Sequence, residues 1–342
     1  MPESRRDDTA TIAALGERGL IDRLRQRAGA PPPWIVIGIG DDAAVLTPER
    51  GTVDVVTTDS LIEDVHFRRA WTSAHDIGRK AFHVSVSDLA AMGATPRAVL
   101  LSLALPPSLA LSEFDAIAAG FLGAAAAART PLVGGNIARS PGPLVIDVTA
   151  LGSARPRRVL RRSGAHAGDE LYVTGSVGGA AAGLGWLAAG HDRKTLDPAA
   201  HASIERYERP EARLRCGQVI ARAGAARACM DLSDGLADAA RQIAEASGLG
   251  VVIDADAVPV DEGARAWAEA NGRDPVMAAV AGGDDYELLF AVAARRTRRF
   301  EAAARRCSGL PVTRVGRLTA DAGAWLARSG RQEPLPLGFV HY

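Results

Sequence analysis

The chain has 342 residues and sets 40 Lys and Arg against 40 Asp and Glu. That balance leaves no net field to draw nucleic acid or an anionic membrane, although metal ions can still offset a phosphorylated ligand locally. The 47% hydrophobic content suits a globular core, and the length suits two domains rather than one. No apolar run is long enough to span a bilayer, and Arg5 and Arg6 are not followed by the apolar run of a signal peptide. Cys216, Cys229 and Cys307 are scattered and have no zinc spacing, which fits a reduced cytoplasm.

Residues 10–26 read as a helix, with Thr9 as a candidate cap, Ile12, Leu15, Leu20 and Ile21 as a loose apolar stripe, and Pro31-Pro32-Pro33 closing it. Short strands follow at 34–39, 45–46 and 53–58. Residues 73–92 place small and apolar residues at helical spacing. A strand at 100–105 ends at Pro106-Pro107, an alanine-rich helix covers 113–129, and 144–151 alternates as a strand. The arginine-rich stretch that begins at residue 153 marks a boundary, giving expected domains of 1–152 and 153–342. Beyond it, strands are expected at 170–174, 229–232, 251–254, 286–292 and 312–315. Helices are expected at 175–187, 210–224, from 236 to 245, and 295–306. Strands and helices mix without a regular alternation, so the expected fold class is α+β, with two α/β domains.

Six segments run from apolar sequence into small residues plus a carboxylate or amide. They are GIGDDAAV at 38–45, TTDS at 57–60, SVSDLAAMG at 85–93, GGNIARS at 134–140, MDLSDG at 230–235 and GGDDYELLF at 282–290. Read as loops at strand ends, they present hard oxygen donors to solvent, the type that suits Mg²⁺. Several such ions would neutralise a nucleoside triphosphate and the charge that moves in phosphoryl transfer. Each segment alone has a plainer explanation: Asp42 and Ser233-Asp234-Gly235 as caps, Gly134-Gly135 as a turn, His66 as a satisfied loop histidine. Their number favours metal–phosphate chemistry. The nucleophile elbow, the zinc-protease motif, the dinucleotide fingerprint and the Walker loop are all missing from the sequence.

Together with RSGAHAGD at 162–169, the segments resemble the thiamine-monophosphate kinases, part of the wider family that includes aminoimidazole ribonucleotide synthetase. The resemblance implies transfer of the ATP γ-phosphoryl group to thiamine monophosphate, with ATP as co-substrate and several Mg²⁺ ions. The acceptor is an already ionised phosphate oxygen, so no dedicated catalytic base is implied. The matching metal positions are Asp42, Thr57, Thr58, Asp59, Asp88, Asn136, Asp231 and Asp234. Arg162, Ser233, Gly134 and Gly135 match the nucleotide side, and His66, Asp284 and Phe339 the substrate side. The implied fold is an N-terminal domain that builds a barrel across a homodimer and a C-terminal α/β, sandwich-like domain, with the active site in the cleft between them. No nucleic-acid or membrane partner is implied. Asn136 stands where the family usually has Asp, and Asp284 where it usually has Glu; GFVHY replaces the commoner GYDHF. A relative that activates another acceptor, such as a ribonucleotide amide, and a non-catalytic nucleotide-binding protein remain alternatives.

Overall fold

Two units share the chain, and the computed structural model describes residues 11–339 of it. Thr9 and the terminal Val340-His341-Tyr342 lie outside the described residues. Unit 1 holds residues 11–86 and Pro96–Ser153; unit 2 holds Ser87–Thr95 and residues 154–339.

A 3-10 turn at Ile12–Ala14 precedes α1 (Gly16–Ala28). Next come β1 (Ile35–Ile37), β2 (Val45–Leu46), β3 (Val53–Ile62), α2 (Ala74–Ala91), β4 (Thr95–Leu105), α3 (Leu111–Ala127), β5 (Leu132–Arg139) and β6 (Val145–Ala154). β1 and β2 pair antiparallel, and the other four strands form a sheet in the order β3-β6-β4-β5. β4 and β5 run parallel, with Ser102 opposite Asn136. β3 and β5 are therefore the two sheet edges. α2 and α3 cross closely: a Cβ on Gly120 would lie 1.8 Å from the His75 carbonyl oxygen, so only glycine fits that contact. Phe82 and Phe121 meet edge-on beside it, their ring centroids 5.8 Å apart.

Unit 2 contains β7 (Glu170–Thr174), α4 (Gly179–Ala188), α5 (Pro198–Glu208), α6 (Leu214–Ala223), β8 (Ala228–Asp231), α7 (Leu236–Ala246) and β9 (Gly250–Asp254). It continues with α8 (Glu262–Ala270), α9 (Pro275–Ala281), β10 (Leu288–Val292), α10 (Thr297–Ala304), β11 (Val312–Thr319), β12 (Ala324–Arg328) and β13 (Arg331–Pro334). Its seven strands lie in the order β13-β12-β9-β11-β7-β10-β8, antiparallel except where β12 runs parallel to β9. Strand alternation splits the core into two layers. Leu171, Val173, Leu289 and Ala291 bury on one face with Leu236, Ile243 and Val280. Tyr172, Leu288, Phe290 and Val292 bury on the other with Ile220, Phe300 and Ala303. The sheet is thus covered by helices on both sides, and the chain is of mixed α and β class.

Several elements differ from expectation. The strand expected to end at 58 runs on through Asp59 and Ser60 to Ile62, and residues 134–139 are strand, not loop, because edge strands tolerate polar residues that a central strand would not. β4 begins at Thr95 rather than 100, and α4 begins at Gly179 after a glycine turn rather than at 175. α5, α8 and α9 were not expected. Asp197 opens α5 by accepting the Ala200 N–H, and Asp261 opens α8 by accepting those of Gly263 and Ala264.

Candidate active site

In unit 1, a groove of about 1090 Å³ collects Asp42, Gly134, Gly135 and Asn136. Asp147 and Thr149 of β6 line it too, as does Arg25 of α1. Gly40, Asp41 and Asp42 are exposed, and the Asp42 N–H donates to Asp41 Oδ1 at 2.9 Å. Gly135 has a packing role of its own. A Cβ there would lie 1.8 Å from the Leu101 carbonyl oxygen of β4, so the bare backbone is what lets β5 approach.

The TTDS segment is divided by its own strand geometry. Successive side chains on β3 point to opposite faces. Thr58 Oγ1 lies 3.2 Å from Thr149 Oγ1, and Ser60 donates to Asp147, which puts both on the groove face. Thr57 and Asp59 therefore project to the other face, and both are half-buried. Numbering rises along β3 as it falls along β6 in these pairs, so the strands run antiparallel. His66 follows β3 in a turn, where its Nδ1 accepts the Ile62 N–H at 3.0 Å. That bond fixes the neutral ring with its proton on Nε2.

Unit 2 gathers a second set. Ser87 Oγ donates to Asp231 Oδ2 at 2.7 Å, and Asp231 is only 3% exposed at the end of β8. Burial, and then the neighbouring Asp88 charge, push the Asp231 carboxyl up to about 7; Ser87 and Arg162 oppose the shift. Arg162 donates to Gln242 Oε1 at 2.6 Å, and Gln242 in turn donates to Asp238.

The loop after β8 is stitched to two distant segments by backbone bonds. The Asp284 N–H donates to the Ser233 carbonyl at 2.7 Å, and the Phe339 N–H to the Asp234 carbonyl at 3.1 Å. Leu232 and Tyr286 add a third strut, since the Leu232 carbonyl accepts the Tyr286 N–H at 3.1 Å. Ser233, Asp234, Asp284 and Phe339 are brought together by these bonds. Asp284 and Tyr286 both adopt left-handed backbone, with φ of 65° and 51°, and the Tyr286 hydroxyl donates to Asp284 Oδ1 at 3.1 Å. Such conformations cost about 1 kcal/mol or more each and persist where surrounding bonds enforce them.

Two acids of the GGDDYELLF segment have structural partners instead. Asp285 accepts the N–H groups of Gly178 and Ala180 at 2.5 and 3.2 Å and so caps α4. Glu287 is fully buried and meets Arg213 through two bonds of 2.8 and 2.6 Å, with Thr174 as a further donor. Reading the sequence alone missed this network, whose partners lie 74 positions apart or more. It also missed Asp147 and Thr149, although their spacing in an apolar strand puts two polar residues on one face.

Among the described residues, no three His, Cys, Asp or Glu side chains cluster closely enough to hold a metal ion by themselves. The donor chemistry nevertheless fits Mg²⁺. Asp88 and Asp231 are hard oxygen donors near enough to repel, and a divalent cation relieves that repulsion.

Residues 40–154 match the family described as AIR synthase related protein, N-terminal domain, and residues 166–325 match its C-terminal domain. The thiamine-monophosphate kinase of Rhodopirellula baltica is 34% identical over 318 residues, covering 90% of this chain and 92% of that one. The chain belongs to the thiamine-monophosphate kinase family. The crystal structure of this kinase from Stenotrophomonas maltophilia K279a shares 38% identity at a TM-score of 0.79, covering 90% of this chain and 95% of that one. The structure of AaThiL complexed with AMPPCP and TMP shares 32% identity at a TM-score of 0.76, over 98% of this chain and 99% of that one. The kinship read from the acidic segments holds along nearly the whole chain.

Proposed function

We propose that this chain transfers the γ-phosphoryl group of ATP to the phosphate of thiamine monophosphate, releasing ADP and thiamine diphosphate. The observation that carries the reading is the near full-length likeness to a family member complexed with AMPPCP and TMP. An acceptor phosphate oxygen forms the new P–O bond as the bond from the γ-phosphorus to the bridging oxygen of ADP breaks. The acceptor oxygen is already ionised at neutral pH, so no side chain has to remove a proton from it.

Unit 1 offers Asp42, Thr57, Thr58, Asp59 and Asn136 as metal donors, and unit 2 offers Asp88, Asp231 and Asp234. Bound Mg²⁺ would offset the negative charge of the transferring phosphoryl group. Arg162 presents a guanidinium fork suited to phosphate oxygens, and Ser233 adds a hydroxyl. Gly134 and Gly135 leave bare backbone beside the groove for the nucleotide. His66, Asp284 and Phe339 are assigned to the thiamine side. The Tyr286 hydroxyl and the Ser233 carbonyl hold Asp284 in place, which supports a positioned rather than a mobile carboxylate there.

We also infer a homodimer. β3 is an open sheet edge, and Val53 and Val56 on it are 41% and 61% exposed. An apolar edge of this kind invites pairing with a second copy.

The reading is tested by mixing pure protein with ATP, Mg²⁺ and thiamine monophosphate. Thiamine diphosphate and ADP are expected in equal amounts. Absence of product at every magnesium concentration would remove thiamine monophosphate as the acceptor.

A further inference from the structure

Cys216 and Cys307 stand 91 positions apart in the chain, yet their sulfur atoms lie 2.6 Å apart. Cys216 is in the first turn of α6, and Cys307 lies in the turn that follows α10. The two helices pack together, and both thiols are buried, 3% and 4% exposed. Neither cysteine is among the residues assigned above to nucleotide, metal or substrate. We propose that Cys216 and Cys307 are a redox-sensitive pair that closes into an intramolecular disulfide, stapling α6 to the turn after α10.

Three observations support the pair. A disulfide holds its sulfurs about 2.05 Å apart, so closure asks for a shift of only about half an ångström. The turn is already held against α6 without the bond, because Arg215 Nε donates to the Arg306 carbonyl at 3.1 Å. Chemistry favours Cys307 as the attacking sulfur. Hydrogen bonding with Cys216 lowers the Cys307 thiol below its usual range; burial opposes this, and the Arg215 charge adds to it. Cys229 is a poor competitor on geometry, since it is buried and its thiol donates to the Met230 carbonyl at 3.9 Å.

Access comes through the turn. Arg305, Arg306, Ser308 and Gly309 flank Cys307 and are all exposed. The co-reactant is a low-molecular-weight disulfide such as oxidised glutathione. The Cys307 thiolate attacks one of its sulfurs, the small S–S bond breaks, and one small thiolate leaves and takes up a proton. Cys216 then gives up its proton and attacks Cys307 Sγ in the mixed disulfide, expelling the second small thiol. Two protein thiols thereby lose two electrons and two protons, and the small disulfide gains them.

The test uses the full chain, equilibrated with excess oxidised glutathione and then alkylated under denaturing conditions. One reactive thiol of the original three is expected to remain, with a peptide map joining Cys216 to Cys307. The thermal midpoint of the oxidised protein should rise by roughly 10 °C and fall back in dithiothreitol, because the bond closes a long loop of the unfolded chain. Cys216→Ser and Cys307→Ser should each abolish the shift, and Cys229→Ser should keep it. Three thiols remaining at equilibrium, or a link through Cys229 or between chains, would overturn the proposal. The map is made on the unmutated protein, so it decides the matter even if a serine variant fails to fold.

Discussion

Asp231 and Asp88 illustrate how one residue's position sets its chemistry. A carboxylate buried beside another acid is costly to ionise, and a divalent cation is the natural remedy. Asp88→Asn should therefore lower kcat by on the order of 100-fold while leaving the thermal midpoint almost unchanged. Turnover within a few-fold of the parent protein would take Asp88 out of the metal set. Asp285 makes a different prediction. Burial pushes its carboxyl up to about 7, with Arg206 and the α4 N–H groups opposing. Its unfolded value is about 3.9, so between roughly pH 4 and 7 the folded state binds the extra proton. The stability it contributes is full below about pH 4 and is lost as pH rises through about 7. The slope should be at most about 1.4 kcal/mol per pH unit, and it should vanish in Asp285→Asn. Urea midpoints at several pH values would show it; parallel profiles for the two proteins would mean that Asp285 is ionised throughout. At this scale Asp88, Asp231 and Asp234 stand out in the sequence as candidates, because each acid interrupts apolar sequence beside small residues. Asp285 and Glu287 were not. They share a segment with Asp284, and what separates their roles is a set of partners from other elements: Gly178 and Ala180 for one, Arg213 for the other.

Strands as well as helices departed from expectation. Polar residues at 59–60 and 134–136 read as loops because a central strand would have to bury them. β3 and β5 lie at sheet edges, where one side of the backbone stays open and polar side chains remain wet. Two of the three unexpected helices, α5 and α9, did leave signals. Asp197-Pro198 is a cap followed by a proline at the first helical position, and Asp274-Pro275 opens α9 in the same way. Gly135 ties β5 to β4 more tightly than a turn glycine would. Gly135→Ala should cost roughly 2–4 kcal/mol, since the new Cβ meets Leu101 backbone that cannot swing aside. Chemical denaturation measures this, and an unchanged midpoint would mean that β5 can move off its partner.

For the whole molecule, composition bounded the answer and resemblance supplied most of the detail. Length suggested two domains, and strand alternation on β7 and β10 is visible in the sequence as a continuous apolar run that serves helices on both faces. Strand order was not legible, because neighbours such as β9 and β12 are joined only through intervening helices and strands. Among the described residues, no helix is long and apolar enough to cross a membrane. The inferred dimer predicts a solution mass of two 35.6 kDa chains. Val56→Asp puts a charge on the open edge of β3 and should halve that mass without unfolding the chain. Light scattering reads the result directly; a parent protein that already runs as one chain would remove the dimer.

The division of donors along β3 also sets a rule of parity. Removing one residue between Val53 and Val56 would carry Thr58 and Ser60 to the face of Asp59, and Asp59 to theirs, if the pairing upstream were kept. Removing two would restore every side chain to its own face and merely shorten the strand. Deletions of odd and even length in this strand should therefore differ sharply in their effect on phosphoryl transfer, although the even deletion removes more of the protein.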